Sequence, residues 1–216
     1  MLTRADWTVA DCLDVFDSIS DVGVSHVGFK DLGVDRETLA ALNRRIKASG
    51  ATSYMEVVST TDEACLASAR TALEIGVDRL LGGFSVGPVL ALLEGSGIAY
   101  YPFPGRPEGH PTRLRGGPED IAADCRRMER EGCAGADLLA YRALDVEPLA
   151  LVEAARGALS GGLIVAGSID APERVHALAA AGVDAFTIGT AAFDGSFSPR
   201  GGGLRAQLED ILAAIP

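Results

Sequence analysis

Basic residues are in short supply. Nineteen lysines and arginines stand against thirty acidic residues in 216, a formal net charge of −11 and a pI near 4.7. Such a chain carries no cationic stripe for a nucleic-acid backbone, so general DNA or RNA binding is not expected. A few arginines and backbone amides can still hold a small anion locally. The four cysteines (Cys12, Cys65, Cys125, Cys133) show no C-x-x-C spacing and fall mostly in helical stretches. They read as reduced structural residues and not as disulfides or zinc ligands. His26, His110 and His176 have no ligand spacing either, so neither a metal nor a cofactor is expected. Two glycine-rich signatures are missing, G-x-G-x-x-G and G-x-x-x-x-G-K-[ST], which argues against a nucleotide-binding open sheet. No apolar run approaches bilayer length, and "MLTRADWTVADCLD" has no signal-peptide core. A cytoplasmic protein without membrane partners is the expectation.

Hydrophobic residues make up 48% of the chain, and they recur in a regular alternation. Strand-like runs occur at "VSHVGFKD", "TSYMEVVS", "DRLLGGF", "IAYYPFP", "ADLLAYRA", "LIVAGSID" and "AFTIGTAAF". Helical stretches separate them, several opening on a start signal such as Thr60 with Glu63, Pro118 or Pro148. A further helix, "VADCLDVFDSIS", precedes the first run, so an eighth strand must lie near Leu2. Eight βα units predict an α/β protein, a single (βα)8 TIM barrel occupying residues 1–216 as one domain.

The last two runs share an ending. "LIVAGSID" and "AFTIGTAAF" both stop on glycine followed by a hydroxyl residue. Between them, Val175, Leu178, Ala179 and Gly182 recur at helical intervals. Asp170, Pro172 and Glu173 read as a helix start with a capping-box acid. A strand-helix-strand unit of this length makes the two strands parallel neighbours. Both Gly-hydroxyl pairs then share the carboxyl edge of the sheet, where such folds bind ligands.

The stretch "LIVAGSIDAPERVHALAAAGVDAFTIGTAAFDGSF" resembles the last quarter of the ribulose-phosphate-binding barrels, the superfamily of the histidine-biosynthesis isomerase and cyclase. The resemblance implies that Gly167, Ser168, Gly189 and Thr190 bind a substrate phosphate, with a short helix over Ala191 to Phe193. Elementary physics agrees, because glycine lets amides approach oxygens and a helix start favours negative charge. The resemblance covers about a sixth of the chain and does not extend to the acids those isomerases carry after strands one and five. Strand five ends "YYPFPG", without a carboxylate, and Asp6 lies beyond any plausible first strand.

Chemistry must therefore come from strand parity. In "HVGFKD", Val27 and Phe29 suit the helix-facing side, which leaves His26, Gly28 and Lys30 inward. In "SYMEVV", Met55 and Val57 face outward, which leaves Tyr54 and Glu56 inward. Lys30 and Glu56 are thus the candidate catalytic pair at the mouth. Asp31, just past its strand, could orient a ligand hydroxyl or cap a turn. The long stretch "FPGRPEGHPTRLRGGPED" reads as a mobile lid over the mouth, whose His110 and Arg113, among its other cations, would meet an anion. Arg142, at the end of "AYR", is a further anion contact.

These residues predict an enzyme acting on a small phosphorylated metabolite. An isomerase or epimerase using Lys30 and Glu56 is one form, and an aldolase-type lyase forming a Schiff base at Lys30 is another. A barrel that keeps the phosphate site without chemistry, as a binding or regulatory subunit, is the third. A homo-oligomer is left open.

Overall fold

The computed structural model describes residues 1–59, 61–109 and 112–216. The chain begins with two-residue strands β1 (Thr3–Arg4) and β2 (Trp7–Thr8), followed by helix α1 (Cys12–Ile19). Strand β3 (His26–Lys30), α2 (Arg36–Ala48), β4 (Thr52–Val57), α3 (Asp62–Ile75), β5 (Arg79–Gly82), α4 (Val86–Leu93) and β6 (Ala99–Tyr101) come next. A small hairpin, β7 (Arg106–Glu108) and β8 (Arg113–Arg115), interrupts the alternation. Then come α5 (Pro118–Glu131), β9 (Gly135–Leu138), α6 (Pro148–Ala158), β10 (Gly162–Val165), α7 (Pro172–Ala180) and β11 (Ala185–Phe186). The short α8 (Thr190–Asp194) and α9 (Leu204–Ala213) close the chain.

Strands β3 to β6 form one parallel arc and β9 to β11 another. Backbone hydrogen bonds stitch the arcs into a ring. Ala134 N donates to Tyr100 O at 3.0 Å and Asp137 N to Pro102 O at 3.0 Å, joining β6 to β9. On the other side the nitrogen of Met1 donates to Ile188 O at 2.8 Å, and Leu2 N to Gly28 O at 2.7 Å. Residues 1–2 are thus the eighth stave, and the fold is a (βα)8 barrel.

Alternation along the strands builds two layers. Val27, Phe29, Met55, Val57 and Leu80 pack outward against helix residues that include Phe16, Leu42 and Ile46. Tyr54, Leu81, Tyr101 and Ile164 fill the barrel interior as a separate cluster. On α2 the buried residues Leu39, Leu42, Asn43 and Ile46 follow the helical period, and each buried Leu or Ile contributes about 1.5–3 kcal/mol.

Helix starts follow capping chemistry with two corrections. Asp35 accepts from Thr38 N at 2.7 Å, as an N-cap should. Thr60 lies outside the described residues, and Thr61 caps α3 by accepting from Ala64 N at 3.3 Å. Ala171, not Asp170, precedes α7, and Asp170 instead pairs with Arg174 at 2.7 Å. The run "ADLLAYRA" is only half strand: after Leu138 the chain tightens into a 3₁₀ turn over Ala140–Arg142.

The expected lid is a built hairpin. Leu114 is buried in the main core, Arg115 pairs with Glu108 at 2.7 Å and Asp145 at 3.2 Å, and Gly105 N donates to Asp124 at 2.9 Å. An alternating Arg-Leu-Arg strand with a buried middle residue is a sheet signature that the Gly and Pro around it mask. His110 lies outside the described residues.

Candidate functional site

A cavity of about 430 Å³ opens at the carboxyl ends of the strands. Two of its walls are the Gly-hydroxyl loops. Gly167 and Ser168 follow β10, Gly189 and Thr190 follow β11, and all four line the same space. Both Gly167 (φ +79°) and Ser168 (φ +56°) adopt the left-handed region, so this turn is shaped against ordinary steric preference. At Gly167 a Cβ would lie 2.2 Å from Arg142 Nε, which is why glycine stands there. At Gly189 a Cβ would lie 2.4 Å from Thr3 Oγ1. Any side chain at Gly189 therefore disturbs the closing segment as well as the cavity. The Thr190 hydroxyl accepts from Ala5 N at 3.1 Å and starts α8, which spans the expected short helix.

Lys30 and Glu56 share the cavity floor, as parity predicts. They are register partners on β3 and β4, and Lys30 Nζ lies 3.0 Å from Glu56 Oε1. Each is 4% exposed. A second carboxylate stands closer still: Asp6 Oδ1 is 2.6 Å from Lys30 Nζ. Arg142 grips the same carboxylate with two bonds of 2.7 and 2.8 Å, and Thr112 N donates to it at 3.3 Å. Asp6 reaches this position through a tight turn in which Ala5 (φ +49°) and Asp6 (φ +66°) are both left-handed.

Charge follows from this geometry. Burial alone would raise the Asp6 carboxyl, but the Arg142 hydrogen bonds and the Lys30 charge hold it well below the usual carboxylate range. Burial disfavours the Lys30 ammonium, yet Glu56 and Asp6 together outweigh it and lift its pKa above the ordinary lysine value. Lys30 is accordingly a cation at neutral pH. Deeper in the barrel, Asp137 on β9 is fully buried, and neither carboxyl oxygen has a hydrogen-bond partner among the described residues. Burial, reinforced by Glu56, raises its pKa well above normal and so favours its neutral form.

Other expected site residues are distributed differently. Asp31 is not a cavity-lining residue: it accepts from Val58 N at 3.3 Å and from the Ser68 hydroxyl, tying β3 to β4 and α3. Arg113 lines the cavity with its side chain exposed. Arg142 lines it too, from the 3₁₀ turn and not from a strand. His26 bonds Tyr54 Oη at 2.9 Å at the opposite, exposed end of its strand. No group of three or more metal-ligating side chains occurs among the described residues.

Three residues of this site escape sequence reading: Asp6, Thr112 and Asp137. Asp6 follows no strand signal, and its turn lacks the usual Gly or Asn. Asp137 does carry a signal, since it sits between Ala136 and Leu138, which face the helices.

No family model and no curated relative matches the chain. Among solved structures, a native KDPGal structure aligns at a TM-score of 0.67 and 11% identity, over 98% of this chain and 91% of that one. Orotidine 5'-phosphate decarboxylase from Pyrococcus horikoshii OT3 aligns at 0.66 and 16% identity, over 94% of this chain and 92% of that one. The BexX/CysO complex of Amycolatopsis orientalis aligns at 0.66 and 17% identity, over 97% and 85%. These likenesses establish a shared barrel fold.

Proposed function

We propose that the protein is an enzyme that moves a proton on a small phosphorylated carbonyl compound, an isomerase or epimerase. The carrying observation is Lys30, held between Asp6 and Glu56 at the floor of a cavity whose wall is the pair of Gly-hydroxyl loops. In this reading Gly167, Ser168, Gly189 and Thr190 seat the phosphate, through amides that glycine leaves uncovered. The substrate carbonyl points at Lys30. A lysine kept cationic by two carboxylates polarises that oxygen and stabilises the enolate that forms. Glu56 takes the proton from the adjacent carbon and returns it. A cationic lysine is a poor nucleophile, which weighs against the Schiff-base alternative. That one of the aligned barrels is named an orotidine 5'-phosphate decarboxylase agrees with phosphorylated-metabolite chemistry on this scaffold.

The test is a panel of phosphorylated aldoses and ketoses incubated in D₂O and followed by NMR. Deuterium should enter the carbon beside the carbonyl of one substrate, and a Lys30→Met variant should lose this exchange by about a thousandfold or more. A borohydride-stable adduct on Lys30 would overturn the reading in favour of the lyase. Phosphate binding with no turnover of any panel member would leave a binding protein.

A further inference from the structure

We infer that the substrate carries a second acidic group besides its phosphate, and that Thr112 and Arg113 on the hairpin receive it. The inference rests on the phosphate reading above. It begins from the charges that line the cavity. Among the described lining side chains these are Asp6, Glu56 and Asp170, against Lys30, Arg113 and Arg142. Lys30 and Arg142 are committed to Asp6 and Glu56, and Asp170 to Arg174. Arg113 remains as the one cationic side chain of the lining with no carboxylate partner among the described residues. Its neighbour across the hairpin, Glu108, is taken by Arg115.

Beside it stands an independent signal. Thr112 is 3% exposed, lines the same cavity, and its hydroxyl has no hydrogen-bond partner among the described residues. A buried hydroxyl left unpaired is destabilising unless something supplies a partner. Its backbone is already committed, the amide to Asp6 and the carbonyl to Arg142. A ligand oxygen would satisfy it.

Position separates this pair from the phosphate loops. Thr112 and Arg113 come from the hairpin after β6, whereas the Gly-hydroxyl loops follow β10 and β11. Arg142 stands between them, packed on Gly167 at one side and bonded to Thr112 O at 3.2 Å on the other. The neighbouring Asp6 charge is already met by Lys30 and Arg142, so it does not repel a second anion. A carboxylate suits a guanidinium fork with one hydroxyl beside it. The class of substrate is therefore a phosphorylated carboxylic acid.

Calorimetry with three probes tests this: inorganic phosphate, glycerol 3-phosphate and 3-phosphoglycerate. The last two differ in whether a carboxylate replaces a terminal hydroxymethyl group. Wild type should bind 3-phosphoglycerate about tenfold or more tighter than glycerol 3-phosphate. Arg113→Met should erase that preference while leaving inorganic phosphate unchanged. Thr112→Val should narrow it with the fold intact. Equal binding of the two esters by wild type would overturn the inference and spare the phosphate site. So would an Arg113→Met variant that weakens all three probes alike, since Arg113 would then belong to the phosphate. Failure of all three probes to bind wild type would refute the phosphate reading and the inference with it.

Discussion

Removing the Asp6 charge should cost more stability than any other single change at the cavity. Four donors converge on its carboxylate: Lys30 at 2.6 Å, Arg142 at 2.7 and 2.8 Å, and Thr112 N at 3.3 Å. Its side chain is 3% exposed, and those of its cationic partners 5% and 19%. Breaking a buried pair by deleting one partner costs about 3–5 kcal/mol, because a charge is left buried and uncompensated. Two features place Asp6→Asn near the lower end, about 3 kcal/mol. Glu56 still neutralises Lys30, and asparagine tolerates the left-handed turn that Asp6 occupies. Alanine should cost about 1 kcal/mol more, since it lacks that tolerance. Urea unfolding at pH 7, with unchanged m-value, reads both. The pH dependence adds a signed check. A carboxyl depressed in the folded state contributes stability that is complete above its ordinary value near 4 and is withdrawn as pH falls below it. The gap between wild type and Asp6→Asn should therefore narrow from pH 5 to pH 2. A loss under about 1 kcal/mol at pH 7, or a gap constant with pH, would refute a buried charge network here.

Asp137 predicts the opposite sign. Its raised pKa means its stability contribution is complete below about 4 and is lost as pH rises toward the folded value, so Asp137→Asn should stabilise increasingly as pH rises above the ordinary carboxylate range. Thermal melts at increasing pH check it. Ser168→Asp puts a carboxylate on an exposed, left-handed residue that aspartate accepts, and should abolish inorganic phosphate binding in calorimetry with the melting temperature within a few degrees of wild type. Asp31→Ala should cost about 1–3 kcal/mol in urea by orphaning Val58 N and Ser68, with phosphate affinity unchanged.

Periodicity made the barrel and half of the site legible. The outward burial of Val27, Phe29, Met55 and Val57 is a two-residue rhythm that any apolar strand displays, so Lys30 and Glu56 fall inward by exclusion. Glycines before hydroxyl residues mark the wall loops for the same local reason. Features that depend on distant partners left no such mark. Asp6 is defined by residues 24, 106 and 136 positions away, and nothing in "TRADWT" announces them. Asp31 shows the converse, a polar residue at the right strand end whose side chain turns toward α3 because Ser68 waits there. The hairpin residues Thr112 and Arg113 hide among glycines and prolines that usually signal irregular chain.

The Ala5–Asp6 turn also sets a schedule. Its contacts tie the start of the chain to Thr190 and, through Arg4, to Asp194 at 2.9 Å. During synthesis the first stave emerges some 185 residues before its last neighbours. Until β11 exists, Met1 and Leu2 have only one side to pair with, and until the 3₁₀ turn exists Asp6 lacks Arg142. Closure is thus a long-range, late event of the kind that slows folding. A nascent or truncated barrel would hold Lys30 and Glu56 beside an open seam, with water where Asp6 belongs. The cavity floor and the final seam of the fold are one and the same joint, so the lysine acquires its full charge environment only when the ring is complete.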